Sequence, residues 1–318
     1  MALPQEEVVD ALTKSFSGFG VDEKSIIRVL GKWQPEEKKS FRKNYPFFFT
    51  EDDRLFEKWN ADHISVLKRE FSRFKNAVVM WTMHPWERDA RMAKEALIKE
   101  ENRSYDVIIE IACTRSSEEL LGARKAYHSL FDHSIEEDVA SHIHGTNRNL
   151  FVALVSAYRY EGSKVNDEVA KSEAKTICNA IKNANKKNPV EDEEVVRILS
   201  TRSKPHLKAI YKNYKELFGK TLDEDLEDGS SLKEAVQCLC FPQVYFSKVL
   251  NAALMSGADE KTKVALSRVI VTRADSDMIK EIKEEYHKEN GVSLSQKINE
   301  ITHGNYKDFL LNLIERGE

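Results

Sequence analysis

The groups of residues in this chain that could do chemistry are few, and each lacks something that its chemistry needs. Gly219-Lys220-Thr221 ends like a phosphate-binding loop, but Tyr214 stands where such a loop requires a glycine. His142 and His144 are two residues apart without further ligands nearby, so we interpret them as loop histidines rather than a metal pair. No serine, cysteine or carboxylate constellation is typical of a hydrolase. We therefore predict that the protein is not an enzyme.

The cysteines and the hydropathy pattern indicate the compartment. Four cysteines are scattered along the chain without any Cys-x-x-Cys motif, at Cys113, Cys178, Cys238 and Cys240. We interpret Cys238 and Cys240 as core residues of an apolar helix. No apolar run reaches 18 residues, the length of a membrane span, and the acidic opening Met1–Glu7 does not resemble a signal peptide. These features predict a reduced, cytoplasmic protein whose contact with membranes is peripheral.

The composition predicts a helical protein. The 318 residues include 12 glycines and 7 prolines, about half the usual share, which argues against a β-sandwich or a propeller. Hydrophobic residues make up 41% and charged residues 32%, enough for a large core under a charged surface. The net charge of −4 provides no field that would attract nucleic acid, so we expect no nucleic-acid partner.

The chain also contains internal repeats. A Thr-Arg pair that ends a predicted helix occurs at Thr114-Arg115, Thr201-Arg202 and Thr272-Arg273, and a tyrosine follows each pair, at Tyr127, Tyr214 and Tyr286. In the first copy Trp33 takes the arginine position and Tyr45 follows. Four units result, 1–82, 83–155, 166–242 and 246–316. We expect the arginines to bond the free carbonyls at the helix ends.

Local patterns predict several short helices in each unit. Ser116 with Glu119 three residues later predicts a capping box at the start of a helix. Ile108, Ile109 and Ala112 form one apolar helical stripe, and Leu120 with Tyr127 and Phe131 forms another. The polar stretch Glu161–Glu168 is predicted to link the second and third units. Composition and periodicity alone thus predict a helical repeat protein.

These repeats, together with four longer motifs, resemble the annexins over essentially the whole chain. The motifs are Gly18–Glu23 (GFGVDE), Trp81–Ala90 (WTMHPWERDA), Cys113–Ser116 (CTRS) and Val271–Ala274 (VTRA). The second of them is similar to the corresponding segment of plant annexins, in particular of a divergent group. The resemblance implies an all-α fold in which four repeats of about five helices each form a curved disc. It also implies binding to acidic membranes through Ca²⁺.

The resemblance implies one good calcium site, in the first repeat. Ca²⁺ takes six to eight oxygen ligands at about 2.3–2.6 Å, and an annexin site supplies loop carbonyls together with a bidentate carboxylate. The carbonyls would be those of Phe16, Gly18 and Gly20, and the carboxylate would be that of Glu70. A lipid phosphate would complete the shell of the ion, which couples calcium to the membrane. The alternative is a glycine-rich turn beside a solvated, unrelated Glu70.

The first repeat departs from the family pattern before Glu70. The interval from the glycine loop to this residue is longer than in the family, and Pro46 predicts a break in a helix, where a proline costs about 3 kcal/mol. We expect the extra residues, in the region 47–64, to loop out without moving Glu70. Asp22 is expected to cap the helix that follows the loop.

The other three repeats are predicted to bind calcium poorly or not at all. The second has Lys99–Arg103 in place of the glycine loop, and the third has Lys186–Pro189. The fourth has Gly257–Glu260 as a shortened loop, with Ile301 rather than an acid at the carboxylate position. A single weak site would give weak membrane binding unless other contacts contributed.

Two features are candidates for those contacts. Phe19 at the tip of the first loop would enter the interfacial layer of a membrane, or else pack against its own helices. Lys182, Lys186 and Lys187 would meet anionic lipid, or else form a solvated charged face.

The leading functional hypothesis is calcium-dependent, peripheral binding to acidic phospholipid, with a role in membrane organisation or in calcium and stress signalling. The alternative is a protein-interaction scaffold that keeps the annexin fold with little or no calcium binding. The sequence identifies no protein partner and no oligomeric state.

Overall fold

The structure is a computed structural model that describes residues 4–30, 33–51, 57–98, 105–184 and 188–316. These residues are helical apart from connections and one short hairpin, so the predicted all-α class is confirmed. Contacts divide the chain into two units, one comprising Met1–Thr82 with Ser247–Glu318, and the other Met83–Phe246. Within the described ranges, no helix is both long and apolar enough to cross a membrane.

The first unit begins with three short helices, a two-stranded hairpin and one long helix. These elements are α1 (Pro4–Ser15), α2 (Glu23–Leu30), α3 (Pro35–Asn44), β1 (Phe49–Glu51), β2 (Glu57–Trp59) and α4 (Ala61–Thr82). The strands are antiparallel, with Thr50 opposite Lys58. Helix α3 ends at Asn44, so the break predicted at Pro46 is confirmed. The described part of the region expected to loop out, 47–51 and 57–64, contains both strands of the hairpin and the first turn of α4.

In its described residues, the second unit is a run of helices with a 3₁₀ turn at Pro189–Glu191. Its helices are α5 (Pro85–Ile98), α6 (Tyr105–Thr114), α7 (Ser117–Phe131), α8 (Ile135–His142), α9 (Arg148–Val155), α10 (Asp167–Lys182), α11 (Glu193–Thr201), α12 (Lys204–Phe218), α13 (Leu222–Asp225) and α14 (Ser231–Cys240). The predicted linker is confirmed for residues 161–166, which contain no helix, but its last two residues, Asp167 and Glu168, already belong to α10.

Helix α15 contains the division between the units, and the first unit then ends with four helices. The bounds are α15 (Pro242–Ala253), α16 (Glu260–Arg273), α17 (Met278–Asn290), α18 (Leu294–Ile301) and α19 (Gly304–Ile314). In the described residues, 83–155 and 166–242 each hold five helices, and 242–316, which begins four residues before the predicted fourth unit so as to include all of α15, also holds five, as the resemblance implies. The first repeat differs, because its described residues hold four helices, of which α4 with 22 residues is the longest.

Each unit has a buried apolar core, and the predicted apolar stripes belong to that of the second unit. In the first unit, α1, α2, α3 and the hairpin bury a cluster that includes Val8, Leu12, Val29, Trp33, Phe41, Phe48 and Phe49. Trp33 therefore fills core space at the position where the other repeats have arginine. In the second unit Ile108, Ile109 and Tyr127 are at most 1% exposed, and burying each such side chain stabilises the fold by about 1.5–3 kcal/mol. Cys238 and Cys240 are buried as predicted.

The structure tests two predictions about helix ends, a capping box at Ser116 and arginine bonds to carbonyls. The capping box is confirmed, because Ser116 Oγ accepts from the Glu119 amide and Glu119 Oε2 accepts from the Ser116 amide. For Arg115 and Arg202 the expected bonds to helix-end carbonyls are wrong, and Arg202 bonds Glu173 at 2.6 Å. Arg115 instead makes a bidentate pair with Asp89 on α5, at 2.6 and 2.8 Å. A buried carboxylate is a stronger acceptor for guanidinium than a carbonyl oxygen.

The helix-end carbonyls are bonded by two other cations. Lys204 Nζ donates to the Thr114 carbonyl at 2.9 Å, at the end of α6. Arg159 donates to the Leu199 carbonyl at 2.6 Å, near the end of α11. Cations therefore do stabilise these helix C-termini, but they come from residues outside the repeated Thr-Arg motif.

Candidate metal site

The loop between α1 and α2 turns sharply at its two glycines. The angle φ is positive at three consecutive residues, 90° at Gly18, 73° at Phe19 and 105° at Gly20. Residues other than glycine rarely adopt a positive φ, so Phe19 is held in this conformation by its surroundings. At the end of the loop Asp22 Oδ1 accepts from the Ser25 amide at 3.2 Å, which confirms the predicted cap of α2.

The loop is pressed against the connection between α18 and α19. The His303 amide donates to the Phe19 carbonyl at 3.0 Å. A Cβ atom at Gly20 would lie 2.7 Å from the His303 carbonyl oxygen, closer than side-chain carbons approach. Glycine is thus required at position 20 both by the backbone angle and by the space available.

Helix α4 brings the predicted carboxylate to this loop. The Glu70 side chain is 0% exposed, and its Oε2 accepts from the Gly20 amide at 3.1 Å. The alternative interpretation, a solvated Glu70 unrelated to the loop, is therefore wrong. Because α4 continues for three further turns beyond Glu70, the residue one turn later on the same face, Arg73, also reaches the carboxylate.

Arg73 neutralises Glu70. Its Nη2 donates to Glu70 Oε1 at 2.9 Å, and its Nε donates to Oε2. Arg69 Nε adds a longer contact to Oε1 at 3.3 Å. Burial acts to raise the pKa of Glu70, but the bonds and charge of Arg73 outweigh it, with help from the Gly20 amide, so the pKa lies below its usual value.

Two residues of α16, which the sequence analysis did not single out as site residues, complete the cluster. Glu260 Oε2 accepts from Arg73 Nη2 at 2.7 Å and from Arg69 Nε at 3.0 Å. Lys263 Nζ donates to the Ser17 carbonyl at 3.1 Å. The only sequence signal for them is a Glu-Lys pair three residues apart on one helix face, and nothing in it indicates a partner 187 or more residues away.

The ring of Phe19 lies under these cations and away from solvent. Arg73 Cζ is 5.7 Å and Lys263 Nζ 5.3 Å from the ring centroid, both within cation–π distance. Phe19 is 2% exposed. The structure therefore shows the packed alternative, and in this conformation the ring does not make the predicted membrane contact.

Phe16 lies at the start of the loop in an aromatic group with the segment before β1. Its ring stacks on Phe48 at 5.8 Å and lies 4.6 Å from the ring of His63 on α4. Phe47, 58% exposed, packs edge-on against it at 5.8 Å. The extra residues of the first repeat thus support the loop from one side.

The loop and Glu70 have the donors that Ca²⁺ prefers. Carbonyls of Phe16, Gly18 and Gly20 belong to one turn, and the carboxylate of Glu70 bonds that same turn through the Gly20 amide. Carbonyl and carboxylate oxygens are hard ligands suited to Ca²⁺. The ligand atoms are therefore of the type that Ca²⁺ binds, but Arg73 already neutralises the carboxylate. Calcium would have to replace a cation that the protein itself supplies.

In the other repeats the candidate residues lie outside the described ranges or make contacts within the protein. Lys99–Arg103 and the pair Lys186 and Lys187 lie outside the described residues. Lys182 is within them, and its Nζ lies 5.2 Å from the Phe218 ring centroid. In the fourth repeat Asp259 caps α16 by accepting from the Thr262 amide at 2.7 Å. Across the described ranges, no three His, Cys, Asp or Glu side chains gather as a metal cluster.

The lowered pKa of Glu70 predicts how this cluster responds to acid. A carboxylate whose pKa is lower in the folded state stabilises the fold at pH values above its unfolded-state pKa, here 4.5. This contribution is lost as the pH falls through the folded-state pKa. We expect Glu70→Gln to lower the unfolding free energy near pH 6 and to differ less from wild type near pH 3. Urea unfolding of both proteins across this range measures the difference. A difference that stays constant with pH would contradict the ionised pair.

Comparison with known proteins identifies relatives over the whole chain. The sequence model of the family named Annexin matches residues 88–154, 173–233 and 245–313. The chain is 54% identical to Annexin D4 of Arabidopsis thaliana, with 100% of both chains covered. It is 43% identical to Annexin-like protein RJ4 of Fragaria ananassa, covering 97% of this chain and 95% of the relative. The solved structure of annexin III superposes with a TM-score of 0.69 at 25% identity, covering 98% and 94% of the two chains.

Proposed function

The chain belongs to the annexin family, among the plant annexins, and from this premise we propose that it binds acidic phospholipid membranes through a calcium site in its first repeat. Calcium-dependent phospholipid binding is the general property of the family. The proposal assigns that property to one loop and one carboxylate of this chain. It describes a binding protein rather than an enzyme.

The observation that carries the proposal is the bond between Glu70 and the Gly20 amide. It joins the carboxylate and the glycine loop that the sequence predicts as calcium ligands in the first repeat, across 50 residues of sequence. The positive φ angles of Gly18, Phe19 and Gly20 support it further, since they bend the loop as a carbonyl-donating turn requires.

Each residue then has a definite task. The carbonyls of Phe16, Gly18 and Gly20 and the carboxylate of Glu70 would hold the ion, and Asp22 keeps the loop in register by capping α2. Bound Ca²⁺ would supply positive charge for a lipid phosphate. Phe19 would add an apolar contact once its ring is released, and Lys182, Lys186 and Lys187 would add charge. The protein would act from the cytoplasm, in membrane organisation or stress signalling.

A second candidate, a scaffold that keeps the fold with little calcium binding, is favoured by one observation. Both carboxylate oxygens of Glu70 already accept bonds from Arg73, so the cluster is electrostatically satisfied without a divalent ion. The two candidates differ in a single measurable property, the dependence of membrane binding on Glu70.

Replacing Glu70 by glutamine tests the proposal. The substitution keeps the side-chain size and removes the only charged ligand, so we expect sedimentation with acidic vesicles to lose its calcium dependence. Glu173→Gln is the matched control, because Glu173 is also a buried carboxylate that accepts from an arginine, Arg202, at 2.6 Å, but belongs to the second unit.

The measurement is co-sedimentation with vesicles of acidic phospholipid over a calcium series, with melting curves to show that each variant is folded. Loss for Glu70→Gln alone supports the calcium site. Equal calcium dependence in wild type, Glu70→Gln and Glu173→Gln would overturn it, and an absence of calcium-dependent binding in wild type would favour the scaffold.

A further inference from the structure

The first-repeat loop is closed by two of the chain's own cations. Arg73 holds the carboxylate of Glu70, and Lys263 Nζ bonds the carbonyl of Ser17, which lies between the candidate ligands Phe16 and Gly18, at 3.1 Å. The Lys263 side chain is 13% exposed and that of Arg73 is 6% exposed. A Cβ atom at Gly18 would lie 2.6 Å from Lys263 Nζ, so the ammonium group touches the loop backbone directly.

We propose that Lys263 is an intramolecular competitor of Ca²⁺, which keeps the loop closed until calcium displaces its ammonium group. The inference rests on the proposed calcium site and adds its regulation. An ammonium group and a calcium ion both seek carbonyl oxygens and both carry positive charge. They cannot share one loop, because like charges at contact distance repel strongly in a partly buried cluster.

Glu260 gives the displaced cations a second partner. Its Oε1 lies 3.8 Å from Lys263 Nζ, one turn away on α16, and its Oε2 already accepts from Arg73 Nη2 at 2.7 Å. Lys263 can therefore move to Glu260 without entering an apolar region, and Arg73 keeps one carboxylate when it gives up Glu70. The cluster thus has two arrangements with paired charges, one closed and one open to the ion.

The same step controls Phe19. Its ring lies within 6 Å of Arg73 Cζ and Lys263 Nζ, and it loses the cation–π contact with Lys263 when this side chain moves to Glu260. The ring is then free to leave the loop and enter a membrane. Calcium binding, loop opening and membrane contact are therefore linked, so that acidic lipid and calcium each increase the affinity for the other.

The test removes the charge of Lys263 while keeping its length. In calorimetric titrations of the full chain with CaCl₂, Lys263→Met is expected to bind calcium about tenfold more tightly than wild type, since one competing unit charge is lost. Lys263→Arg keeps the charge and should stay close to wild type. Lys24→Met is the matched control, because it removes the same charge from an exposed lysine of the same unit.

A second readout needs no calcium. Hydrogen exchange of the Gly20 amide, which Glu70 protects in the closed loop, should be faster in Lys263→Met than in Lys24→Met. Equal affinities and equal exchange in these two variants would overturn the competition. Calcium binding that Glu70→Gln abolishes and Lys263→Met leaves unchanged would overturn it while the proposed site stands. Calcium binding by wild type that survives in Glu70→Gln would instead overturn the proposed site.

Discussion

Replacing Gly304 by alanine is expected to lower the free energy of unfolding by about 3 kcal/mol, through backbone strain and a steric clash together. Gly304 begins α19 with a φ of 60°, and a Cβ atom there would lie 1.8 Å from the Val21 carbonyl oxygen. That oxygen belongs to the backbone of the candidate calcium loop and cannot rotate away. The added methyl group must therefore separate α19 from the loop.

Gly291→Ala is the control for the backbone angle alone. Gly291 ends α17 with a φ of 72°, and nothing lies within 4 Å of the position that its Cβ would take. We expect this variant to lose only about 1 kcal/mol, the cost of a left-handed alanine. Urea unfolding of both variants measures the two costs. Equal losses of unfolding free energy in the two variants would mean that the loop moves aside for the added methyl group at little cost. The close packing of Gly304 against the loop would then not be rigid.

Replacing Arg115 by alanine is expected to destabilise the protein by about 3–5 kcal/mol, since it leaves a buried carboxylate without its partner. Arg115 bonds both oxygens of Asp89, and the Asp89 side chain is 2% exposed. The effect acts on folding rather than on the calcium loop, which lies in the other unit. Calcium-dependent vesicle binding by the folded fraction should therefore persist.

Arg91→Ala is the matched control, because it removes an arginine paired with Glu87 at 2.8 Å on the surface of the same helix as Asp89. An exposed pair of this kind contributes less than about 1 kcal/mol. Thermal unfolding of both variants, with vesicle sedimentation beside it, separates stability from binding. An Arg115→Ala protein that melted like wild type but had lost lipid binding would contradict the structural role.

The parts of the fold that were predicted correctly depend on residues close together in sequence. The Ser116 capping box and the Asp22 cap span three residues, and the buried stripe at Ile108 and Ile109 follows the period of one helix. Such interactions leave a pattern in the chain because the backbone itself brings the partners together.

The parts that were missed depend on which groups meet in space. Arg115 was expected to bond carbonyls because the sequence indicates that a helix ends there. Its pairing with Asp89, 26 residues away, leaves no comparable pattern in the sequence. The glycine loop and Glu70 could be paired only through the family resemblance, and that resemblance gave no indication of Lys263. The buried position of Phe19 follows from Arg73 and Lys263, so it could not be predicted without them.

The pairing of the first 82 residues with the last 72 also fixes an order of events during synthesis. Residues 83–246 form a continuous unit that can fold as soon as it has emerged from the ribosome. The beginning of the chain must wait for Glu260, Lys263 and Gly304, which at about 5–20 residues per second takes about 10–45 s. Until then the surfaces that α16 and α19 will cover stay open to chaperones and to other nascent chains. The protein thus completes its middle before its beginning, and the candidate calcium loop is among the last parts of the molecule to take shape.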